Sequence, residues 1–352
     1  MEKRYQLCII FFLIGILSFT SQLGEAQKRY KNEFAFGLHL DSLFVAEGAN
    51  EFDTLFNRKI FLSRVKRHLN TKGSNEPKLL DSLVSQLFFS DFLFKLDTAG
   101  DRAPLEFVQL HQQSGTPLLR FRDLSRDTPV SYIDILLKRT KTNFQIIDFY
   151  DHYSATWFSE EVEQAFIGEE LARAADQKNE LWLTDLYRLR ALMAEKDYEG
   201  ALTFYTLLPK EIKQQQSFLL LAIQASVYLP YYKEETLLKW SEKLFADQPA
   251  FSITKIHLAE VKEDYQSLIE ELEVLKSLIG NDPYLQLLKA DANFRDKDYE
   301  KGKLICEHLI KSDDLAFEAS LLWYQYAKLR SNEKDMKRMS SKLQKEFDYS
   351  PL

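Results

Sequence analysis

The chain has 352 residues, 45% of them hydrophobic and 28% charged, with a formal net charge of -7. That balance excludes wholesale disorder and a polytopic membrane protein, and the acidity offers no electrostatic footprint for nucleic acid. Two cysteines, Cys8 and Cys306, are too few for a disulfide framework.

Residues 1–26 have the layout of a secretory signal peptide. Lys3 and Arg4 form a basic start, Leu7 to Leu17 is an unbroken apolar run, and Gly24-Glu25-Ala26 offers small residues for cleavage ahead of Gln27. A bilayer span takes about 20 residues, more than this run supplies. The expected mature chain is therefore exported, to a periplasm, a cell envelope or the medium, with no transmembrane span. Loss of Glu2, Glu25, Lys3 and Arg4 removes two charges of each sign and leaves the net charge at -7. Cys306 then stands alone among Leu304, Ile305 and Leu309 and reads as core.

Residues 27–157 read as a small α+β domain. Phe52, Leu55, Phe56 and Ile60 recur at helical spacing, as do Leu80, Leu83, Val84 and Leu87, with a loop from Thr71 to Pro77 between them. The phenylalanine-rich stretch from Leu79 to Leu96 predicts a helix covered on more than one side. After Gly115 the period becomes two. Runs starting at Thr116, Val130 and Asn143, with short polar connections, predict a three-stranded antiparallel meander. The stretch from Phe52 to Trp157, helices and then a meander ending in IIDFYDHYSATWFSE, resembles the N-terminal domain of exported bacterial tetratricopeptide-repeat proteins. That domain is similar to the cystatin-like or NTF2-like cone fold, so the resemblance implies helices wrapped by a curved sheet.

Residues 158–180 predict a linking helix with Ser159 as its N-cap and Glu160 and Glu161 in its first turn. From 181 to 352 a repeat takes over. Tyr198, Tyr232, Tyr265 and Tyr299 are 34, 33 and 34 residues apart, each where one amphipathic segment gives way to the next. EKDYEGA and DKDYEKG are the same turn written twice, with Ala201 or Gly302 as the small residue that admits close helix approach. An atypical fifth unit from about Phe317 to Phe347 supplies an end cap. These residues resemble the tetratricopeptide family, although its first-helix tryptophan and favoured glycine are mostly missing. A generic α-α repeat of the same pitch stays open. The fold class expected for the whole is mainly α, a small α+β domain followed by an α-α helical-repeat solenoid.

In the resembled family the first helix of each pair lines a concave groove. Carried over by register, that groove holds Arg190, Gln224, His257 and Asp291 eight residues before each marker, and Met193, Val227, Glu260 and Phe294 five before. Leu186, Leu220, Ile253 and Leu287 form an apolar row twelve before. Such a surface suits capture of a protein or peptide. The plainer reading makes the apolar row inter-repeat core and the polar row a solvated face. The family's carboxylate-clamp set of asparagines and basic residues is absent.

The competing site lies in the meander. Alternation puts Asp148, Tyr150 and His152 on one strand face, with Ile147, Phe149 and Tyr153 on the other, while Tyr132 and Asp134 share a face of the middle strand. Inside a cone these could serve as general acid and base; on an open sheet they form the wet face. No CxxC, HExxH, EF-hand loop, glycine-rich phosphate loop or GxSxG elbow occurs, and the six histidines do not cluster at ligand spacing. The sequence thus calls for no cofactor or metal. It favours a non-catalytic scaffold, with an N-terminal ligand-binding or enzymatic domain, or a structural envelope component, as alternatives.

Overall fold

The computed structural model describes residues 32–45, 54–66, 105–113, 115–124, 128–141, 143–163, 182–229, 235–312 and 315–351. The expected signal peptide, the helix over Leu79 to Leu96, most of the linking helix and Tyr232 lie outside the described residues. Among the described residues two helices, α1 (Glu33–Val45) and α2 (Arg58–Val65), precede a five-stranded antiparallel sheet in simple sequence order. Its strands are β1 (Leu105–Gln113), β2 (Thr116–Asp123), β3 (Ser131–Arg139), β4 (Phe144–Asp151) and the two-residue β5 (Thr156–Trp157).

The expected three-stranded meander is therefore the middle of a larger sheet. β1 escapes the alternation test because its phase breaks at a bulge between Phe107 and Gln109. Phe107 opposite Phe121 and Leu110 opposite Leu119 consequently face the same side, three residues apart where two would be regular. A second bulge between Leu136 and Leu137 does the same to β4. Ile147, expected beside Phe149, packs instead with Leu118 and Leu136 on the opposite face. The helical run expected across Phe52 to Ile60 also breaks. Phe56 bridges Ile146, Asn57 N–H donates to the Ile146 carbonyl at 2.8 Å, and the Asn57 side chain then caps α2 by accepting from Ile60 N–H at 3.0 Å.

One sheet face is apolar and carries the helices. Leu119, Phe121, Ile133, Ile135, Phe144, Ile146 and Phe149 meet Phe36 and Leu40 of α1 and Phe61 and Val65 of α2 in one buried cluster. Each such side chain contributes about 1.5–3 kcal/mol on burial.

The rest of the described chain is helical. Five helix pairs follow: α3 (Trp182–Ala194) with α4 (Tyr198–Leu207), then, after the single turn α5 (Lys210–Lys213), α6 (Gln216–Val227) with α7 (Glu235–Phe245). After these come α8 (Pro249–Val261) with α9 (Tyr265–Ile279), α10 (Pro283–Arg295) with α11 (Tyr299–Leu309), and α12 (Ala316–Leu329) with α13 (Glu333–Phe347). The first helices begin at 182, 216, 249, 283 and 316, in steps of 34, 33, 34 and 33.

The four pairs whose connecting turn is described share one geometry. Lys196, Glu263, Lys297 and Ser331 each adopt a left-handed backbone, with φ of 61°, 55°, 66° and 54°. The next residue closes the Schellman bond to the first helix: Asp197 to Leu192, Asp264 to Ala259, Asp298 to Asn293 and Asn332 to Ala327, each at 2.9 Å. That same residue caps the second helix. Asp197 accepts from Gly200 N–H, Asp264 from Ser267, Asp298 from Lys301 and Asn332 from Asp335. One residue thus ends one helix and starts the next, and at Asp197, Asp264 and Asp298 the marker tyrosine follows it. The marker reaches forward into the next pair. Tyr198 stacks on Tyr228 at 4.1 Å, Arg295 lies 5.9 Å from the Tyr265 ring, and Arg330 lies 4.7 Å from that of Tyr299. At Gly302 a Cβ would stand 2.6 Å from the Phe294 ring, so the small residue does set the helix approach there.

Candidate functional site

The second face of the sheet is polar, yet it is not wet. Arg120 and Asp134, opposite one another across β2 and β3, are each 4% exposed. Arg120 donates twice to the Asp134 carboxylate, Nε to Oδ1 and Nη2 to Oδ2, both at 2.7 Å. His152 Nε2 lies 2.9 Å from Asp134 Oδ2. Burial acts to raise the Asp134 pKa, but the adjoining His152 and the Arg120 fork outweigh it and hold the carboxyl well below its ordinary range.

This face is covered by the turn between α9 and α10. Arg120 Nη1 donates to the Ile279 carbonyl at 2.6 Å, and the Gln109 side-chain amide donates to the same oxygen. Gly280, at φ +100°, leaves the turn without a side chain where Gln109 lies against it. Asp282 then caps α10 through Tyr284 N–H at 3.0 Å while accepting from Arg122 Nη1 at 2.6 Å and from Tyr132 O–H at 2.8 Å. Arg122 also pairs with Glu106 and lies 4.3 Å from the Tyr284 ring. Burial first, and then the Asp282 charge, raise the Tyr132 hydroxyl well above its usual pKa, so it stays a donor. Apolar contacts complete the seam. Val130 and Tyr132 share a buried cluster with Ile253 and Ile256 of α8, Ile279 and Leu285.

Asp148 and Tyr150 stand apart from that network. Asp148 is fully buried and accepts from Arg64 Nε at 2.7 Å, Ser159 Oγ at 2.6 Å and Ser159 N–H at 3.1 Å. Ser159 is thus not the N-cap expected of it. It lies inside the helical stretch 158–163, and Asp148 supplies the carboxylate at that helix start. Burial raises the Asp148 pKa, against the pull of Ser159 and Arg64. Tyr150 sits between the His152 ring at 4.8 Å and Trp157 at 5.1 Å, and burial, followed by nearby carboxylates, pushes its hydroxyl to about 12. The five sheet candidates do share a face. Its reading as a solvated surface is overturned, since Asp148 and His152 are buried. Tyr132, Asp134 and His152 are joined through the Arg120 and Arg122 clusters, while Asp148 serves a different set of donors.

The expected groove residues fall two to each of the first helices α3, α6, α8 and α10. Gln224, Val227, His257 and Phe294 are buried, as are Leu186, Leu220 and Ile253 of the apolar row; Leu287 is partly so. His257 Nε2 lies 2.9 Å from the Tyr228 hydroxyl, and Phe294 stacks on Tyr326 at 4.6 Å. Met193 packs on the core of the first two pairs. Arg190, Glu260 and Asp291 stay partly open. Arg190 reaches Glu161 at 3.0 Å, Arg295 links Glu260 to Asp291, and Asp291 accepts from the Tyr326 hydroxyl at 3.0 Å. Sequence reasoning missed Arg120, Arg122, Glu106 and Asp282. The signal was there in part, as two arginines at i and i+2 in an otherwise apolar strand must meet buried anions.

No protein family, curated protein or solved structure matches the chain. Among the described residues no helix is long and apolar enough to cross a membrane, and no group of three or more His, Cys, Asp or Glu is placed to hold a metal ion.

Proposed function

We propose that the chain is an exported, non-catalytic scaffold whose helix pairs form a tetratricopeptide-like solenoid holding a protein or peptide partner. One observation carries this reading: the same two-residue turn, left-handed residue and then capping Asp or Asn, recurs in four pairs at the pitch of the first helices. A repeated unit that cannot bury its own apolar face stacks on its neighbours, and such stacks present continuous surfaces for recognition. On the first-helix side, Arg190, Glu260 and Asp291 are ion-paired within the chain yet partly open, and are the groups a partner would meet. Gln224, Val227, His257, Met193 and Phe294 support them from within. The sheet network favours a structural role over catalysis, because Asp134 and Tyr132 already spend their polar atoms on Arg120, His152 and Asp282.

Photo-crosslinking on the full chain tests this. A benzophenone residue placed at Arg190 or Asp291 should trap a partner polypeptide, and one at Glu270 on the exposed side of α9 should not. Trapping at Glu270 alone would replace the groove with the outer surface.

A further inference from the structure

A second surface lies among α11, α12 and α13. There the end of α11 and one side of α13 enclose a cleft of about 380 Å³, at the small end of the range for ligand pockets. Its floor is apolar, formed by Ile310, Trp323 and Met339. Its rim is cationic. Arg338, Lys342 and Lys345 follow at i, i+4 and i+7 along α13, and Lys311 faces them from the end of α11. Among the described residues two carboxylates line the cleft, and both are engaged: Arg338 Nη1 pairs with Glu307 at 3.1 Å, and Lys342 pairs with Glu346. Among the described residues Lys311 and Lys345 have no carboxylate partner. A chain of net charge -7 thus concentrates an excess of positive charge around one apolar cleft.

The geometry points to this cleft as a binding site for an acidic, extended peptide segment carrying an apolar side chain between its carboxylates. Helix dipoles account for cations at the ends of α11 and α13, but not for Arg338 in the second turn of α13 on the same side. A small anion would leave the Ile310 and Met339 floor unused, and the cleft is too confined for a membrane surface. In an acidic peptide the carboxylates meet Lys311 and Lys345, and the apolar residue enters between them. This site is separate from the first-helix groove, so either can fail without the other.

The test is isothermal titration of the full chain with the peptide acetyl-Glu-Asp-Leu-Glu-Asp-amide at low salt. Saturable binding is expected, weakened roughly tenfold or more in the double variant K311E/K345E and by added salt near 0.15 M. Both lysines are exposed, so the variant should keep its circular dichroism spectrum and melting temperature. Replacing the central leucine of the peptide with serine should also weaken binding. The proposal is overturned if the peptide does not bind, if K311E/K345E binds it as tightly as the parent, or if the serine peptide does. Inorganic phosphate or an oligothymidylate of equal charge binding as well as the peptide would overturn it too.

Discussion

Arg122 offers the sharpest perturbation of the seam between sheet and helices. Its side chain is 8% exposed, and it faces Asp282, whose side chain is 2% exposed, at 2.6 Å. Substituting Arg122→Met removes the cation and leaves a buried carboxylate, a change that typically costs 3–5 kcal/mol. Asp282 keeps two donors, Tyr132 O–H and Tyr284 N–H, so the cost should fall near the lower end, about 3 kcal/mol. Glu106 adds little, since its side chain is 39% exposed and screened. Asp282→Asn alone strands the guanidinium instead. The double variant R122M/D282N removes both charges while the single Asn oxygen still caps α10 through Tyr284 N–H and the amide N–H is placed to donate to the Tyr132 hydroxyl oxygen. Its loss should be about 1–2 kcal/mol, smaller than that of either single change and far from their sum. Urea unfolding, followed by far-ultraviolet circular dichroism and by tryptophan fluorescence, measures all four corners of the cycle. Additive losses would refute the coupling. Separate transitions for the two probes in the parent chain would refute the idea that this seam makes sheet and array unfold together.

Three further outcomes follow from named contacts. Asp298→Ala and Asp264→Ala should each lower stability, and by similar amounts, because both remove the same cap from the same turn; thermal or urea melts compare them. Gly302→Ala places a methyl group 2.6 Å from the Phe294 ring, and overpacking of about 1–3 kcal/mol should outweigh the helix-propensity gain of about 1. In pH titrations of stability, the lowered folded-state pKa of Asp134 gives stabilisation that is present above its unfolded value, about 3.9, and lost as pH falls below it. The Asp148 carboxyl, raised by burial, works in the opposite sense, so the comparison of Asp134→Asn with the parent isolates the Asp134 part. The variant should be less stable at neutral pH, with the difference shrinking below pH about 4; a constant difference across that range would refute the assignment.

The sequence is most readable where structure is local. Spacing of the tyrosines placed the helix pairs, because the turn they mark is built from neighbours: a left-handed residue, a capping Asp, and the aromatic after it. The runs after Gly115 gave β2, β3 and β4 for the same reason. What failed depended on partners distant in the chain. β1 hides behind a bulge that only pairing with β2 reveals, and Ile147 changes face through the bulge opposite Leu136 and Leu137. Period-two counting has no means of seeing either. The polar strand face was harder still. Charged residues on a meander face ordinarily signal water, and nothing local to Asp134 or His152 says that a turn roughly 130 residues later will cover them.

That covering bears on the competing readings of function. A sheet face of arginines, carboxylates, a histidine and tyrosines has the composition of an active site, yet here Arg120, Arg122 and Tyr132 are matched across the seam. Arg120 takes Asp134 and a main-chain carbonyl, while Arg122 and Tyr132 share the two oxygens of Asp282. Asp282 is also the cap of α10, and α10 is the first helix of its pair, so the sheet fixes the start of a first helix. A displaced turn would strand two buried charges, which makes sliding of sheet over array costly. These contacts brace the helix pairs against the sheet. They hold the third and fourth pairs, between which Glu260, Arg295 and Asp291 remain partly open, and leave the terminal pair with its basic cleft uncovered by the sheet.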